Sequence, residues 1–160
     1  MAVALLGAAS GLTAGRNADY RSEMAMLRDV VAKRPYNCRA QVSLAASLLR
    51  EGGFEEAEAV GRRLLVVVDE LEKGGRGSYR LSPAMAAYYR QATVSGLGQA
   101  LLGQRRLEDA AAYFRQAGTL GGGARSSYHL AQALHLLGQG EESMRVCDAP
   151  GRRRFPHCRH

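Results

Sequence analysis

Apolar residues recur along the chain at the three- and four-residue spacing of amphipathic helices, and short glycine-containing turns separate the segments. Three pairs of leucines, each four residues apart, place two large side chains on one face of a helix. The pairs are Leu44 and Leu48, Leu97 and Leu101, and Leu130 and Leu134. A β-like run, Leu64 to Val68, lies inside the same pattern and is interpreted as buried helix. The pattern predicts an all-α fold.

The three segments also share small residues at fixed positions. In each segment a tiny residue follows the first leucine, and an Ala or Ser stands thirteen residues after that leucine (44 to 57, 97 to 110, 130 to 143), beyond a turn. The tiny residues are Ala45, Gly98 and Ala131, and the later residues are Ala57, Ala110 and Ser143. A tiny side chain allows close approach, so we expect the two positions to meet in an antiparallel hairpin. Such hairpins must stack to bury their outer apolar sides.

This pattern resembles the tetratricopeptide repeat (TPR), a helix-turn-helix unit of about 34 residues. The most specific match is Leu97-Gly98 followed by Ala110, Phe114 and Ala117. The second and third segments begin 33 residues apart (97 to 130), whereas the first and second begin 53 apart (44 to 97). The resemblance implies stacked antiparallel helix hairpins in a right-handed α-solenoid of about three repeats.

The extra residues between the first two segments predict an insertion at about 71–83, followed by a helix from Pro83 to about Gly103 with Ser82 as its N-cap. The glycines of the insertion do not follow the G-x-x-x-x-G-K-[ST] order, so nucleotide binding is not expected there. The chain is thereby divided into four predicted parts. These are an apolar segment at 1–15, a half-repeat helix at 16–37, TPR-like repeats at 38–150 and a basic disordered tail at 151–160.

The N-terminal part is similar to a junction in O-mannosyltransferase-like membrane proteins with C-terminal TPRs, and in their bacterial relatives. The matching residues are Arg16-Asn17, Asp19-Tyr20 and Ser22-Glu23. The resemblance implies that residues 1–15 are a membrane-helix stub, that the repeats lie on the non-cytoplasmic side, and that transferase chemistry resides in a membrane part absent from this chain. The alternative is a frayed first helix of a cytoplasmic protein, because the segment is shorter than the ~20 residues that span a bilayer.

Charge and cysteine content do not change the predicted fold or function. The net charge is +7, and four positive charges lie in the last ten residues, which leaves 7 − 4 = +3 for the body. The basic tail can attract nucleic acid or an acidic membrane, or can simply be solvated. Three widely spaced cysteines indicate neither a disulfide framework nor a zinc site. The tail run His157-Cys158-Arg159-His160 has no evident further ligand, so neither metal nor cofactor is expected.

The concave face of the repeats is the predicted binding site, because the first helix of each hairpin lines it. The predicted groove residues are Arg39, Val42, Arg50, Ser95, Gln99, Arg125, Tyr128, Gln132 and His135. The arginines favour an extended acidic peptide or a C-terminal carboxylate. The Lys/Asn/Arg set of chaperone-binding TPRs is not matched, because its Asn positions hold Ala46, Gln99 and Gln132. A solvated helix face is the alternative for each residue.

An enzyme is not expected, because neither His129 nor His135 has an evident carboxylate partner and no nucleophile is framed by a tight turn. Tyr79, Tyr88 and Tyr89 are interpreted as packing on the long helix rather than as base-stacking residues. The sequence therefore predicts a protein-binding scaffold. The alternatives are the repeat region of a membrane glycosyltransferase-like protein and a basic nucleic-acid binder. Self-association through the last repeat is also predicted.

Overall fold

The computed structural model describes residues 23–76 and 79–148, and within these ranges the chain is all-helical apart from one isolated bridge between Arg76 and Tyr79. Helix α1 covers 23–33. The further helices are α2 (Cys38–Glu51), α3 (Phe54–Lys73), α4 (Pro83–Gly103), α5 (Leu107–Thr119), α6 (Gly123–Leu136) and α7 (Gly140–Asp148). The predicted all-α class is confirmed. The predictions for residues 1–22 and for the tail at 151–160 fall outside the described residues.

The helix boundaries follow from local capping chemistry. The side chain of Ser82 accepts a hydrogen bond from the Met85 N–H at 3.3 Å, and Pro83 occupies the first turn of α4. Asn37 caps α2 in the same way, accepting from the Ala40 N–H at 3.1 Å. These side chains satisfy amides that have no partner inside their helix. The predicted helix from Pro83 to about Gly103 is confirmed.

Four of the turns between successive helices contain a residue in the left-handed conformation two positions before the next helix. The residues are Gly52 (φ 80°), Arg105 (φ 63°), Gly121 (φ 88°) and Gly138 (φ 77°). Glycine adopts this conformation without steric cost, whereas a residue with a Cβ is strained in it. Arg105 therefore occupies a position that glycine holds in the three equivalent turns.

Packing runs in chain order. Each helix from α2 onward contacts the next one, and α4 also contacts α2 and α6. The β-like run lies in α3, where Leu64, Val67 and Val68 are buried, whereas Val66 is 59% exposed. The interpretation of this run as buried helix is confirmed for the inward-facing residues.

Small residues set the spacing between helices. The Ser143 hydroxyl donates to the Ala131 carbonyl oxygen at 2.9 Å, so these two positions meet as expected. A Cβ built on Gly98 would lie 2.6 Å from Cε1 of Phe114, which is four residues beyond the expected Ala110. Phe114 is fully buried with residues of α4, α5 and α6. The absence of a side chain at Gly98 therefore makes room for the largest fully buried residue.

Candidate functional site

A groove of about 500 Å³ lies between α2 and α4, with α3 forming its floor. Its walls combine small and apolar side chains with amides and hydroxyls. Among the wall residues are Val42, Ala45, Ala46, Leu49, Tyr88, Gln91, Ala92, Ser95, Gly96 and Gln99. The floor consists of Ala57, Gly61 and Leu64, which are all buried. The arrangement is an open channel with an apolar base and polar groups along its sides.

Close contact between α3 and α4 fixes the depth of this groove. A Cβ on Gly61 would lie 2.9 Å from Cδ2 of Leu97, so glycine allows the two helices to approach at this point. Leu97 is itself 1% exposed and cannot readily move aside. The floor is therefore held by packing rather than by flexible side chains.

A second hollow of about 370 Å³ lies between α4 and α6. It shares Leu49 and Gln99 with the first groove, so the two hollows form one surface that runs from α2 across α4 to α6. The residues lining either hollow are called the α2–α4–α6 surface below. Those added by the second hollow are Phe54, Leu102, Gly103, Arg105, His129, Gln132 and Leu136.

The structure places most predicted groove residues on this surface. Those that line it are Val42, Arg50, Ser95, Gln99, Arg125 and Gln132. Arg39 instead lines a separate hollow at the start of α2. Tyr128 and His135 line neither hollow of the α2–α4–α6 surface.

Several lining residues were missed by the sequence reasoning. Tyr88 was interpreted as packing on the long helix, yet it is 62% exposed and lines the groove. Leu49 is adjacent to Leu48 of the core stripe, and it packs against the core while also lining the groove. Arg105 lies in a turn, where helix periodicity gives no orientation. For Tyr88 the sequence did contain one indication of exposure, because its position along α4 lies on the opposite side of the helix from Leu97.

The charge on this surface has one sign. Arg50, Arg105 and Arg125 line it, and no Asp or Glu of residues 23–76 or 79–148 does. Arg50 also donates to the Ser47 hydroxyl at 2.8 Å, which fixes its side chain near the groove. Arginines present several donors in a planar fork that matches carboxylate geometry.

Carboxylates are instead paired away from the groove. Arg90 bridges Asp69 and Glu72 at 2.6 and 2.7 Å, and Arg115 contacts Glu142 at 2.8 Å. The same asymmetry appears at the helix N-termini. The first turns of α3, α5 and α7 each carry two acidic residues, whereas those of α2, α4 and α6 carry none. The partial positive charges at the N-termini of the groove helices are therefore not offset by local acids.

His129 in the second hollow contributes no positive charge near neutral pH. Burial lowers its pKa and the positive charge of Arg125 lowers it further, while its contact with Gln132 opposes the shift. Its ring stacks on Phe114 with centroids 5.3 Å apart. The Nδ1 atom is buried and has no hydrogen-bond partner among the described residues. The imidazole is thus a packed neutral ring at the base of the hollow.

Metal sites, membrane-spanning helices and cysteine thiols are the other features that could indicate a function in the described part of the chain. Within residues 23–76 and 79–148 no group of three His, Cys, Asp or Glu residues is placed to hold a metal ion. No helix in these ranges is both long and apolar enough to cross a membrane. Cys38 is a free, buried thiol.

Comparison with known proteins gives no relative. No family model, no curated protein and no solved structure matches this chain. Function must therefore be inferred from the geometry of the α2–α4–α6 surface.

Proposed function

We propose that this chain is a TPR-like scaffold that binds an extended, acidic segment of a partner protein along the α2–α4–α6 surface. Turns of two or three residues join α2 to α3, α4 to α5 and α6 to α7, which favours antiparallel hairpins. Contact of α4 with both α2 and α6 is what stacked hairpins would give. In such an array the first helices of the hairpins share the binding face.

The observation that carries the proposal is the combination of shape and charge on this surface. Two neighbouring hollows share Leu49 and Gln99, and the charged residues that line them in the described part of the chain are all arginines. An extended peptide presents unpaired backbone groups, for which the side-chain amides of Gln91, Gln99 and Gln132 supply donors and acceptors. Its carboxylates would pair with the arginines, and its apolar side chains would cover the groove floor.

The magnitude follows from charge-assisted hydrogen bonds. One such bond contributes about 1.5–3 kcal/mol, and 1.4 kcal/mol corresponds to about tenfold in affinity. Removing Arg125 is therefore expected to weaken an acidic peptide by about tenfold or more. Salt is expected to weaken binding only moderately, because the groove is partly enclosed and the apolar floor is insensitive to screening.

The test begins with a random peptide-display selection against the full chain. Selected peptides are then titrated by fluorescence anisotropy against the unaltered protein, Arg125→Ala and the control Arg63→Ala. Arg63 is an exposed arginine of α3 that lines neither hollow. We expect Asp- and Glu-rich peptides that lose affinity only with Arg125→Ala. Equal affinity for both variants, or selection of basic peptides, would refute the proposal.

The other functional hypotheses stay predictions. A membrane-attached repeat region depends on residues 1–15, which lie outside the described residues. A nucleic-acid binder depends on the tail at 151–160, also outside them, together with Tyr79, Tyr88 and Tyr89. Self-association through the last repeat involves Met144, which is 41% exposed on α7.

A further inference from the structure

A third hollow, of about 320 Å³, lies at the N-terminal end of α2, where the turn before α2 meets the connection between α3 and α4. Arginines and tyrosines dominate its lining, and we call it the Arg–Tyr pocket. Its residues are Arg34, Tyr36, Asn37, Cys38, Arg39, Leu71, Tyr79, Arg80, Leu81 and Tyr89. No carboxylate is among them.

The aromatic walls of this pocket are fixed by contacts across its two sides. The rings of Tyr36 and Tyr79 have centroids 6.3 Å apart, which connects the turn before α2 to the connection after α3. The guanidinium of Arg76 lies 5.7 Å from the centroid of Tyr36. The Leu81 N–H donates to the Leu71 carbonyl at 3.2 Å and holds the connection against α3. A flat ring can therefore pack against ordered tyrosines here.

The positive charges of the pocket are not neutralised within the described residues. Arg34 and Arg39 form no ion pair with any described residue, in contrast to Arg28, Arg90, Arg106 and Arg115. Arg80 makes only a 3.5 Å contact with the Gly74 carbonyl. Burial raises the pKa of the Tyr89 hydroxyl, and the positive charge of Arg39 lowers it. The guanidinium of Arg39 therefore lies close enough to Tyr89 to act on it. Three arginines thus line a hollow to which the described residues contribute no carboxylate.

This end of α2 adds further donors. Its first turn holds no acidic residue, and Asn37 uses its side-chain oxygen to cap Ala40. Arg39, the second residue of α2, is a cation at the positive end of a helix, which is electrostatically unfavourable unless an anion is nearby. The arrangement favours a ligand with more than one negative charge.

We propose that the Arg–Tyr pocket binds a phosphomonoester carried on an aromatic ring. The phosphate dianion would pair with Arg34, Arg39 and Arg80, because guanidinium groups bind phosphate oxygens in a bidentate geometry. The ring would pack between the tyrosines and the two leucines. A pocket of this volume accommodates a small ligand or one side chain rather than an extended peptide. The site is separate from the α2–α4–α6 surface and does not depend on its function.

The test uses isothermal titration calorimetry of the full chain with phenyl phosphate, inorganic phosphate and phenol. We expect phenyl phosphate to bind at least about tenfold tighter than inorganic phosphate, and phenol not to bind, because both the charge and the ring contribute. Arg34→Ala and Arg39→Ala should each weaken phenyl phosphate by about tenfold. Both residues are exposed, so these variants should fold normally. Arg63→Ala is the matched control, and Arg125→Ala should bind phenyl phosphate unchanged.

A tyrosine variant distinguishes the contribution of the ligand's aromatic ring to binding from that of its phosphate. Tyr79→Leu should reduce the preference for phenyl phosphate over inorganic phosphate while leaving inorganic phosphate binding unchanged. N-acetyl-phosphotyrosine amide distinguishes the source: tighter binding than phenyl phosphate indicates a phosphorylated protein side chain, and weaker binding indicates a free aromatic phosphate. The proposal is overturned if phenyl phosphate binds no tighter than inorganic phosphate, or if Arg34→Ala and Arg39→Ala behave like Arg63→Ala.

Discussion

Replacing Gly98 with alanine is expected to destabilise the protein, whereas the same replacement at Gly96, two residues earlier on α4, is expected to stabilise it. A Cβ on Gly98 would lie 2.6 to 2.9 Å from three ring atoms of Phe114. A Cβ on Gly96 would meet only Cδ1 of Leu49, at 3.9 Å, which is an ordinary contact. Both glycines lie in α4 and both are replaced by alanine, so the two variants differ in the space available to the added methyl group.

The magnitudes come from two opposing effects. Alanine in a helix interior is favoured over glycine by about 1 kcal/mol, and this gain applies at both positions. At Gly98 the added methyl must displace a ring that is 1% exposed, and overpacking of this kind costs about 1–3 kcal/mol. Gly96→Ala should therefore stabilise by about 1 kcal/mol, and Gly98→Ala should destabilise by up to about 2 kcal/mol.

Guanidinium unfolding followed by far-UV circular dichroism measures both variants, provided that the slope of the transition is unchanged. A double-mutant cycle with Phe114→Leu isolates the contact, because the smaller side chain vacates the space that the new methyl needs. We expect Gly98→Ala to cost less in the Phe114→Leu background. If Gly98→Ala stabilises as much as Gly96→Ala, or the cycle shows no coupling, the close packing of α4 on Phe114 is not as described.

Three further predictions concern the turns and ionisable groups. Arg105→Gly should raise the free energy of unfolding by roughly 0.5–1 kcal/mol, because relief of the left-handed strain (about 1–2 kcal/mol) exceeds the cost of the extra entropy that glycine gives the unfolded chain. An unchanged free energy of unfolding would contradict the strain. His129 has a folded pKa below its ordinary 6.5, so stability should be full above that value and fall as pH drops below it. Urea unfolding of the unaltered protein and His129→Phe at about pH 5 and pH 8 checks this, because the variant should lose part of the pH dependence. Glu58→Gln should lower the free energy of unfolding by about 1–2 kcal/mol, because the Glu58 side chain is 10% exposed and accepts hydrogen bonds from three donors. Glu55→Gln, on the exposed side of α3, should leave the free energy of unfolding nearly unchanged in the same urea assay.

Much of the helical framework could be predicted from the sequence. Leucine spacing and the Ser82-Pro83 start are local signals, and they located the α4 boundaries correctly. The meeting of Ala131 with Ser143 also followed from spacing, because both residues lie in helices joined by a short turn. The close contact of Gly98 with the ring of Phe114 was not predicted, because sequence spacing does not show which side chain of α5 packs against it.

The candidate site was predicted less completely. Helical phase gave the outward positions of α2, α4 and α6, so several groove residues were identified. Arg39 could not be assigned correctly, because the connection between α3 and α4 folds back beside it and forms the separate Arg–Tyr pocket. Tyr88 was assigned to packing because an aromatic side chain at helical spacing does not reveal whether a neighbour covers it.

Periodicity, caps and turn residues act over a few positions, so the helices, the glycine turns and the apolar faces could be predicted from the sequence alone. The neutralisation of individual charges could not, because it depends on tertiary packing. Arg28 pairs with Glu56, 28 residues away, and Arg106 pairs with Glu58, 48 residues away. Such pairs depend on which helices become neighbours. Which arginines line the two proposed binding sites is therefore also a product of packing.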